Sequence, residues 1–326
     1  MHVSIKPFAL GALLLIGAAS QAHEYDALIK AKKYAEVDKA ASAKLAIDAN
    51  NPDALQAKVD LILIEANEKR LDEGAKLAEQ CVAVHPKNSE CHEALGNVLG
   101  TKAVIGGVMS AMGYIGKIKS SFKTAVELNP SNFSARLSLL QFYLQAPAIV
   151  GGGTSKAKDL IVETIKVSPV AGALLQANFD LHDDNIERAT LGALAVNTSG
   201  NDVLARQQRN LLTNIGHTHA NAKKFTESEK IFREITTRFP DAVHGYFGLG
   251  KVYQEQGKAK EAIPYFEKAL TVDANASVFY RLGKAWNSLG DKAKAIPAFE
   301  KALNFKPQLS KKAREEVEEL LKSLKS

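Results

Sequence analysis

The sequence predicts an all-α fold of stacked helix pairs, and three observations support this prediction. One segment occurs twice in succession, at residues 243–275 and 276–308. Self-similarity at a fixed period is typical of repeat architectures. The last segment, residues 310–326, has apolar residues at helical spacing after a serine that suits a helix N-cap. Upstream, prolines recur at intervals of one repeat or slightly more, at Pro52, Pro86, Pro130 and Pro169.

The two copies agree at small and aromatic positions. Glycine inside a helix costs about 1 kcal/mol relative to alanine. Gly250 and Gly283 therefore predict that a second helix approaches closely, with Ala262 and Ala295 as the facing small residues. The shared positions are Leu249, Gly250, Gly257, Ala262, Phe266 and Ala269 in the first copy, and Leu282, Gly283, Gly290, Ala295, Phe299 and Ala302 in the second.

These residues resemble the tetratricopeptide repeat, a helix-turn-helix unit of about 34 residues. The resemblance implies a right-handed solenoid of about seven to eight helix pairs with a C-terminal capping helix. Residues 203–308 match the repeat well, residues 23–202 match it more weakly, and residues 309–326 would form the cap. The chain also resembles a secreted bacterial group of such proteins, with enlarged turns inside the repeat and no settled function.

Two enlarged turns are predicted within the weaker repeats, because the two later proline intervals are longer than one repeat. Residues 100–119 would form the first turn, between helices A and B, the first and second helices of a pair. In the next repeat, helix A is expected to end near Gln145, and helix B to restart near Lys156 with Thr154 or Ser155 as its N-cap. Pro147 and the glycines at 151–153 would make the reversal between them.

Residues 1–22 are typical of a secretory signal peptide. One early lysine precedes an apolar run, and small residues follow at the expected cleavage site. No later segment is long and apolar enough to span a bilayer. We therefore expect an exported, soluble protein of the periplasm. The net charge of +6 comes from interspersed charges, with none of the clustering that nucleic-acid binding favours.

Cys81 and Cys91 are the only cysteines. They fall late in one helix B and early in the next helix A, which are neighbours in a repeat stack. The sequence predicts a disulfide between them. Two alternatives remain open at this stage: a reduced, partly buried pair, and a zinc site that also uses His85 and His92.

No catalytic constellation is recognisable. A nucleophile elbow, a metalloprotease motif and a phosphate-binding loop are all absent. The sequence therefore predicts no enzyme activity, no catalytic residue, no metal and no cofactor.

The resemblance places the binding residues on helix A, which lines the concave groove of such arrays. Lys251 and Lys284 occupy equivalent positions and are expected to stand side by side. They would suit an acidic segment or a C-terminal carboxylate of a protein or peptide. The alternative is a solvated polar face without a ligand. The groove residues predicted are Asn210, His217, His244, Phe247, Lys251, Gln254, Tyr280, Lys284 and Asn287.

The apolar insert around residues 103–116 is a second candidate site. Val108, Met109, Met112 and Tyr114 would form a lid or a contact surface, unless they pack as extra core. The leading hypothesis is a protein- or peptide-binding adaptor in the cell envelope. The alternative is a small-molecule or lipid carrier whose groove is roofed by this insert. The oligomeric state is not predicted.

Overall fold

The computed structural model describes residues 24–65, 68–305 and 308–326, apart from the side chains of residues 108–110. The signal peptide prediction lies outside these residues. The described part contains no β-strand and forms seventeen α-helices. They are α1 Asp26–Lys30, α2 Tyr34–Ile47, α3 Pro52–Glu65, α4 Leu71–Val84, α5 Ser89–Ala111, α6 Ile115–Leu128, α7 Phe133–Gln145, α8 Thr154–Val167, α9 Pro169–His182, α10 Ile186–Ala195, α11 Asp202–Asn221, α12 Phe225–Arg238, α13 Val243–Glu255, α14 Ala259–Val272, α15 Ala276–Ser288, α16 Lys292–Asn304 and α17 Lys311–Lys325.

The all-α prediction is confirmed. Consecutive helices pack as pairs from α1–α2 to α7–α8 in the first unit and from α11–α12 to α15–α16 in the second, and α17 follows as a single C-terminal helix. The chain forms two compact units, one extending to Phe179 and the other beginning at Asp180. The first unit has a continuous apolar core from α3 to α9. In the second unit, α13 and α14 share a core with α15. The sequence placed a boundary at residue 202, where the repeat match improves, whereas this division falls inside α9.

A glycine of helix A packs against a phenylalanine of helix B in the recognisable repeats. A Cβ placed on Gly250 would lie 2.5 Å from the ring of Phe266, and one on Gly283 would lie 2.7 Å from that of Phe299. Both rings are fully buried. The prediction of close approach at these glycines is therefore confirmed, but the facing group is the phenylalanine ring rather than Ala262 or Ala295.

The same contact shows where the first insert enters the fold. Gly216 and Phe232 have the same sequence separation as the glycine and phenylalanine of the two later repeats. Gly96 and Phe122 are separated by a longer stretch of chain and still meet. The extra residues lie between these two contact residues, so the pair can keep its packing.

The structure corrects the expected conformation of that insert. Residues 100–111 belong to α5, which continues for 23 residues, and α6 begins at Ile115. The insert therefore lengthens helix A and leaves only a short turn before helix B. Gly107, at φ 74°, interrupts the helix near its end. The physical reason is that alanine, valine and isoleucine occupy residues 103–105, and nothing before Gly107 forces the helix to stop.

The second enlarged turn agrees better with expectation. Helix α7 ends at Gln145, a single 3₁₀ turn follows at Ala148–Val150, and Gly151 and Gly153 adopt φ values of 97° and 125°. Such values favour glycine. The predicted N-cap is wrong, because α8 already begins at Thr154 and its N-cap is Gly153, which has no capping side chain.

The C-terminal helix covers the apolar end of the second unit. Ser310 caps α17 by accepting a hydrogen bond from the amide of Ala313, as its sequence predicts. Val317 and Leu321 pack against Ala295 and Phe299 of α16. Within the described residues, no helix is both long enough and apolar enough to cross a membrane.

Candidate partner-binding site

The predicted groove residues lie on three successive A helices of the second unit: α11, α13 and α15. We call the surface formed by them the helix-A face. Asn210 and His217 lie on α11. The α13 residues are His244, Phe247, Lys251 and Gln254, and the α15 residues are Tyr280, Lys284 and Asn287. Asn210 and Asn287 are partly exposed.

Lys251 is a partly buried cation at the centre of this face. Its Nζ lies 3.5 Å from Nδ1 of His217 on the preceding A helix. Burial lowers the pKa of Lys251, and the nearby positive charge of Arg281 lowers it further, while Glu255 opposes the shift. Among the described residues, no carboxylate forms an ion pair with this ammonium group.

His217 is surrounded by the same positive charges. Burial lowers its pKa to about 4, with further contributions from Lys251, Arg281 and His244. Its ring lies 5.0 Å from that of Phe232, centroid to centroid. His217 is therefore neutral near pH 7, and its Nδ1 can accept a hydrogen bond from Lys251.

Lys284 has a different environment from Lys251. Its Nζ lies 2.7 Å from Oε1 of Glu316 on α17, and the hydroxyl of Tyr280 donates to Oε2 of the same carboxylate at 2.7 Å. The hydrogen bond from Lys284 holds the pKa of Glu316 below its usual value. The two lysines are equivalent in sequence, but only Lys284 has a carboxylate partner in the described structure.

Arg281 is the main residue of this face that the sequence reasoning missed. Its guanidinium donates to Oε1 of Gln254 at 3.2 Å, and Gln254 donates back to the carbonyl of Arg281 at 3.0 Å. The guanidinium carbon also lies 5.8 Å from the ring centroid of Tyr280. In the sequence, Arg281 follows the predicted groove residue Tyr280, and the first copy has Gly248 at the same position. This difference between the copies could have identified Arg281.

The other residues of the face have structural contacts. Phe247 packs against Phe266, with ring centroids 6.0 Å apart, so it belongs largely to the core of its own repeat. Arg209, which lies beside Asn210, has a buried Nε without a hydrogen-bond partner. Burial lowers the pKa of Arg209, as does the charge of Arg206. The cations of the helix-A face are therefore Lys251 on α13 and Arg281 and Lys284 on α15, with Arg209 adjacent to Asn210 on α11.

The predicted lid residues lie at the end of α5 and in the turn before α6. Met112 is 62% exposed, whereas Tyr114 packs against the first core and lies beneath Lys102, whose Nζ is 5.6 Å from the ring centroid. The side chains of Val108 and Met109 lie outside the described residues. Met112 is therefore available for contact with a partner, whereas Tyr114 is largely structural.

Cys81 and Cys91 form a disulfide that joins α4 to α5, with their Cα atoms 5.4 Å apart. Both residues are buried. His85 and His92 instead contact the backbone carbonyls of Asn50 and Pro86, at 2.6 and 2.9 Å. Among the described residues, no group of three or more histidine, cysteine or acidic side chains is arranged to hold a metal ion.

A comparison with protein families agrees with the repeat geometry of the second unit. Residues 213–277 and 247–310 match the Tetratricopeptide repeat family. The matched region, residues 213–310, includes the Gly–Phe pairs of the second unit, so this part of the chain is similar to the family.

The chain is also 26% identical over 247 residues to "Protein CTR9 homolog" of Arabidopsis thaliana. That alignment covers 73% of this chain and 21% of the relative, so the chain spans about a fifth of its length. Among solved structures, the APC/C hetero-tetramer Cut9-Hcn1 matches with a TM-score of 0.44 and 15% identity, over 90% of this chain and 53% of that one. A tetratricopeptide repeat protein from Parabacteroides merdae ATCC 43184 matches with a TM-score of 0.42 and 18% identity, over 92% and 95%.

Proposed function

We propose that this protein is a non-catalytic module that binds a protein or peptide on the helix-A face of its second unit. The tetratricopeptide repeats of residues 213–310 support a role in protein interaction. The partner we propose presents an acidic segment or a C-terminal carboxylate. It is held by the cations of α13 and α15.

The observation that supports this proposal most strongly is that, in the described structure, no carboxylate forms an ion pair with Lys251 or Arg281, although the charge of Glu316 acts on Arg281 from beyond ion-pair distance. A cation removed from water without a partner is costly. Arg281 lowers the pKa of Lys251, which means that the two positive charges lie close enough to repel. A partner's carboxylate beside Lys251 would offset this repulsion and form a charge-assisted hydrogen bond with the ammonium group.

Export to the cell envelope is part of the same proposal. It is based on the signal-like residues 1–22 and is supported by the disulfide between Cys81 and Cys91, since disulfides persist in oxidising compartments.

The test is affinity capture of the tagged protein after cross-linking in its native host. Lys251→Gln removes the cation that lacks a carboxylate, so we expect at least one specific partner to be captured by the wild type and lost by this variant. Mass spectrometry would identify the captured proteins.

Lys260→Gln is the matched control, because Lys260 is an exposed lysine on the adjacent α14. It should capture the same partner as the wild type. The proposal is wrong if Lys251→Gln and Lys260→Gln retain the same set of partners while both variants have wild-type circular dichroism.

A further inference from the structure

The C-terminal helix brings an acidic side chain onto the helix-A face. Val317 and Leu321 fix α17 against α16, and this packing directs Glu316 towards α15. Both oxygens of the Glu316 carboxylate are used there, one by Lys284 and one by Tyr280. Lys284 and Tyr280 also lie within 3.4 Å of each other, so the three groups form one connected site.

A bound partner's carboxylate at the same place would need these two contacts, one with Lys284 and one with Tyr280. Lys251, one repeat earlier, has no such group. The difference between the two lysines therefore arises from α17, which follows the second copy and supplies Glu316 from outside the repeat.

We propose that Glu316 is a specificity-determining residue, whose carboxylate fills the anion position at Lys284 and Tyr280 and so restricts the partner's acidic group to Lys251 and Arg281. This inference rests on the proposed function. Glu316 acts as an internal ligand, held close by its own helix and therefore present at a high effective concentration.

The carboxylate of Glu316 can be exchanged for another anion at the position formed by Lys284 and Tyr280. The side chains of Lys284 and Glu316 are 37% and 39% exposed. Exposed ion pairs contribute at most about 1 kcal/mol. Removing the charge of Glu316 should therefore open a second anion position without unfolding the helix, because Val317 and Leu321 continue to hold α17 in place.

The probes are acetylated, amidated glycine peptides with one glutamate, or with two glutamates separated by one to four glycines. Their affinity for the full chain is measured by NMR titration. We expect Glu316→Gln to bind the best two-glutamate peptide about three- to fivefold more tightly than the wild type, from an interaction of up to about 1 kcal/mol. The one-glutamate peptide should gain at most about twofold, because it can occupy only one anion position at a time.

Two further variants make the result specific. Glu316→Gln combined with Lys284→Gln should return the two-glutamate peptide to wild-type affinity. Glu315→Gln changes a neighbouring glutamate that faces Lys311 and should leave affinity unchanged. If Lys251→Gln weakens binding but Glu316→Gln does not alter the affinity for two-glutamate peptides, this inference is wrong and the proposed function stands. If no peptide binding depends on Lys251, the proposed function fails, and this inference fails with it.

Discussion

Glu93 is an acidic residue of α5 that is 4% exposed. One carboxyl oxygen accepts a hydrogen bond from Asn132 at 2.8 Å, and Asn132 also caps α7 through the amide of Ala135. Burial, helped by the charges of Asp60 and Glu90 and opposed by the hydrogen bond from Asn132, raises the pKa of Glu93 to about 8. Glu93 is therefore mostly protonated at neutral pH and links two helices as a neutral group.

The raised pKa predicts a pH-dependent stability. Between the ordinary glutamate pKa of 4.5 and about 8, the folded protein keeps a proton that the unfolded chain releases. The free energy of unfolding therefore falls as pH rises through this window, by up to about 5 kcal/mol at roughly 1.4 kcal/mol per pH unit. Glu93→Gln should remove this slope in urea denaturation between pH 4.5 and 8. Glu127→Gln changes an exposed glutamate and should keep the wild-type slope. If Glu93→Gln has the same slope as the wild type, the account is contradicted.

Sequence position predicted Lys251 as a candidate site residue but could not distinguish it from Lys284. The two lysines align in the two repeat copies, and the distinction depends on Glu316, which lies outside them. The raised pKa of Glu93 could not be predicted either, because Glu93 is buried by neighbouring helices that the local sequence does not reveal. Repeated positions are thus predictable, whereas contacts made once in the chain are not.

Helix packing depends on the glycines that face phenylalanine rings. Gly250→Ala would place a methyl group against the buried Phe266 ring, and overpacking of this kind costs about 1–3 kcal/mol, partly offset by a gain of about 1 kcal/mol in helix propensity. We expect a net loss of about 1 kcal/mol in the stability of the second unit, measured by thermal unfolding.

Gly100 is the matched control, since it lies inside α5 and a Cβ there would meet no atom within 4 Å. Gly100→Ala should raise the stability by up to about 1 kcal/mol. Equal effects of the two substitutions would show that helix propensity, and not the Gly–Phe contact, determines the outcome.

The disulfide constrains the connection between α4 and α5. Its short loop predicts that the Cys81→Ser/Cys91→Ser variant loses about 2–3 kcal/mol of stability in the loop-entropy description. Denaturant unfolding of the oxidised wild type and this variant measures the difference. Two titratable thiols in the denatured, unreduced protein would mean that the bond does not form.

The observed helices and turns show which sequence signals were sufficient to predict them. Gly151 and Gly153 correctly indicated a turn, because positive φ values leave few alternatives to glycine. The longer proline interval was misleading about residues 100–119, since Gly100 and Gly106 lie in a continuing helix and Gly107 interrupts it only near its end. A glycine tolerates a turn without enforcing one, so spacing alone could not locate the helix end.

At the scale of the whole molecule, one repeated unit provides both the core and the candidate surface. The Gly–Phe pairs hold the A helices α5, α11, α13 and α15 against their B helices. The outward positions of the A helices are then free to vary, and in the second unit they include Lys251, Arg281 and Lys284. The final helix both covers the apolar end of α16 and supplies Glu316 to this face.

The central claim is that the partner occupies the helix-A face, and site-specific photo-crosslinking tests it most directly. A photoreactive amino acid would replace Asn287 on α15 or, as a control, the exposed Glu267 on α14. We predict a partner adduct at position 287 that disappears when Lys251→Gln is added, and none at position 267. An adduct only at position 267, or one at 287 that is unaffected by Lys251→Gln, would contradict the account.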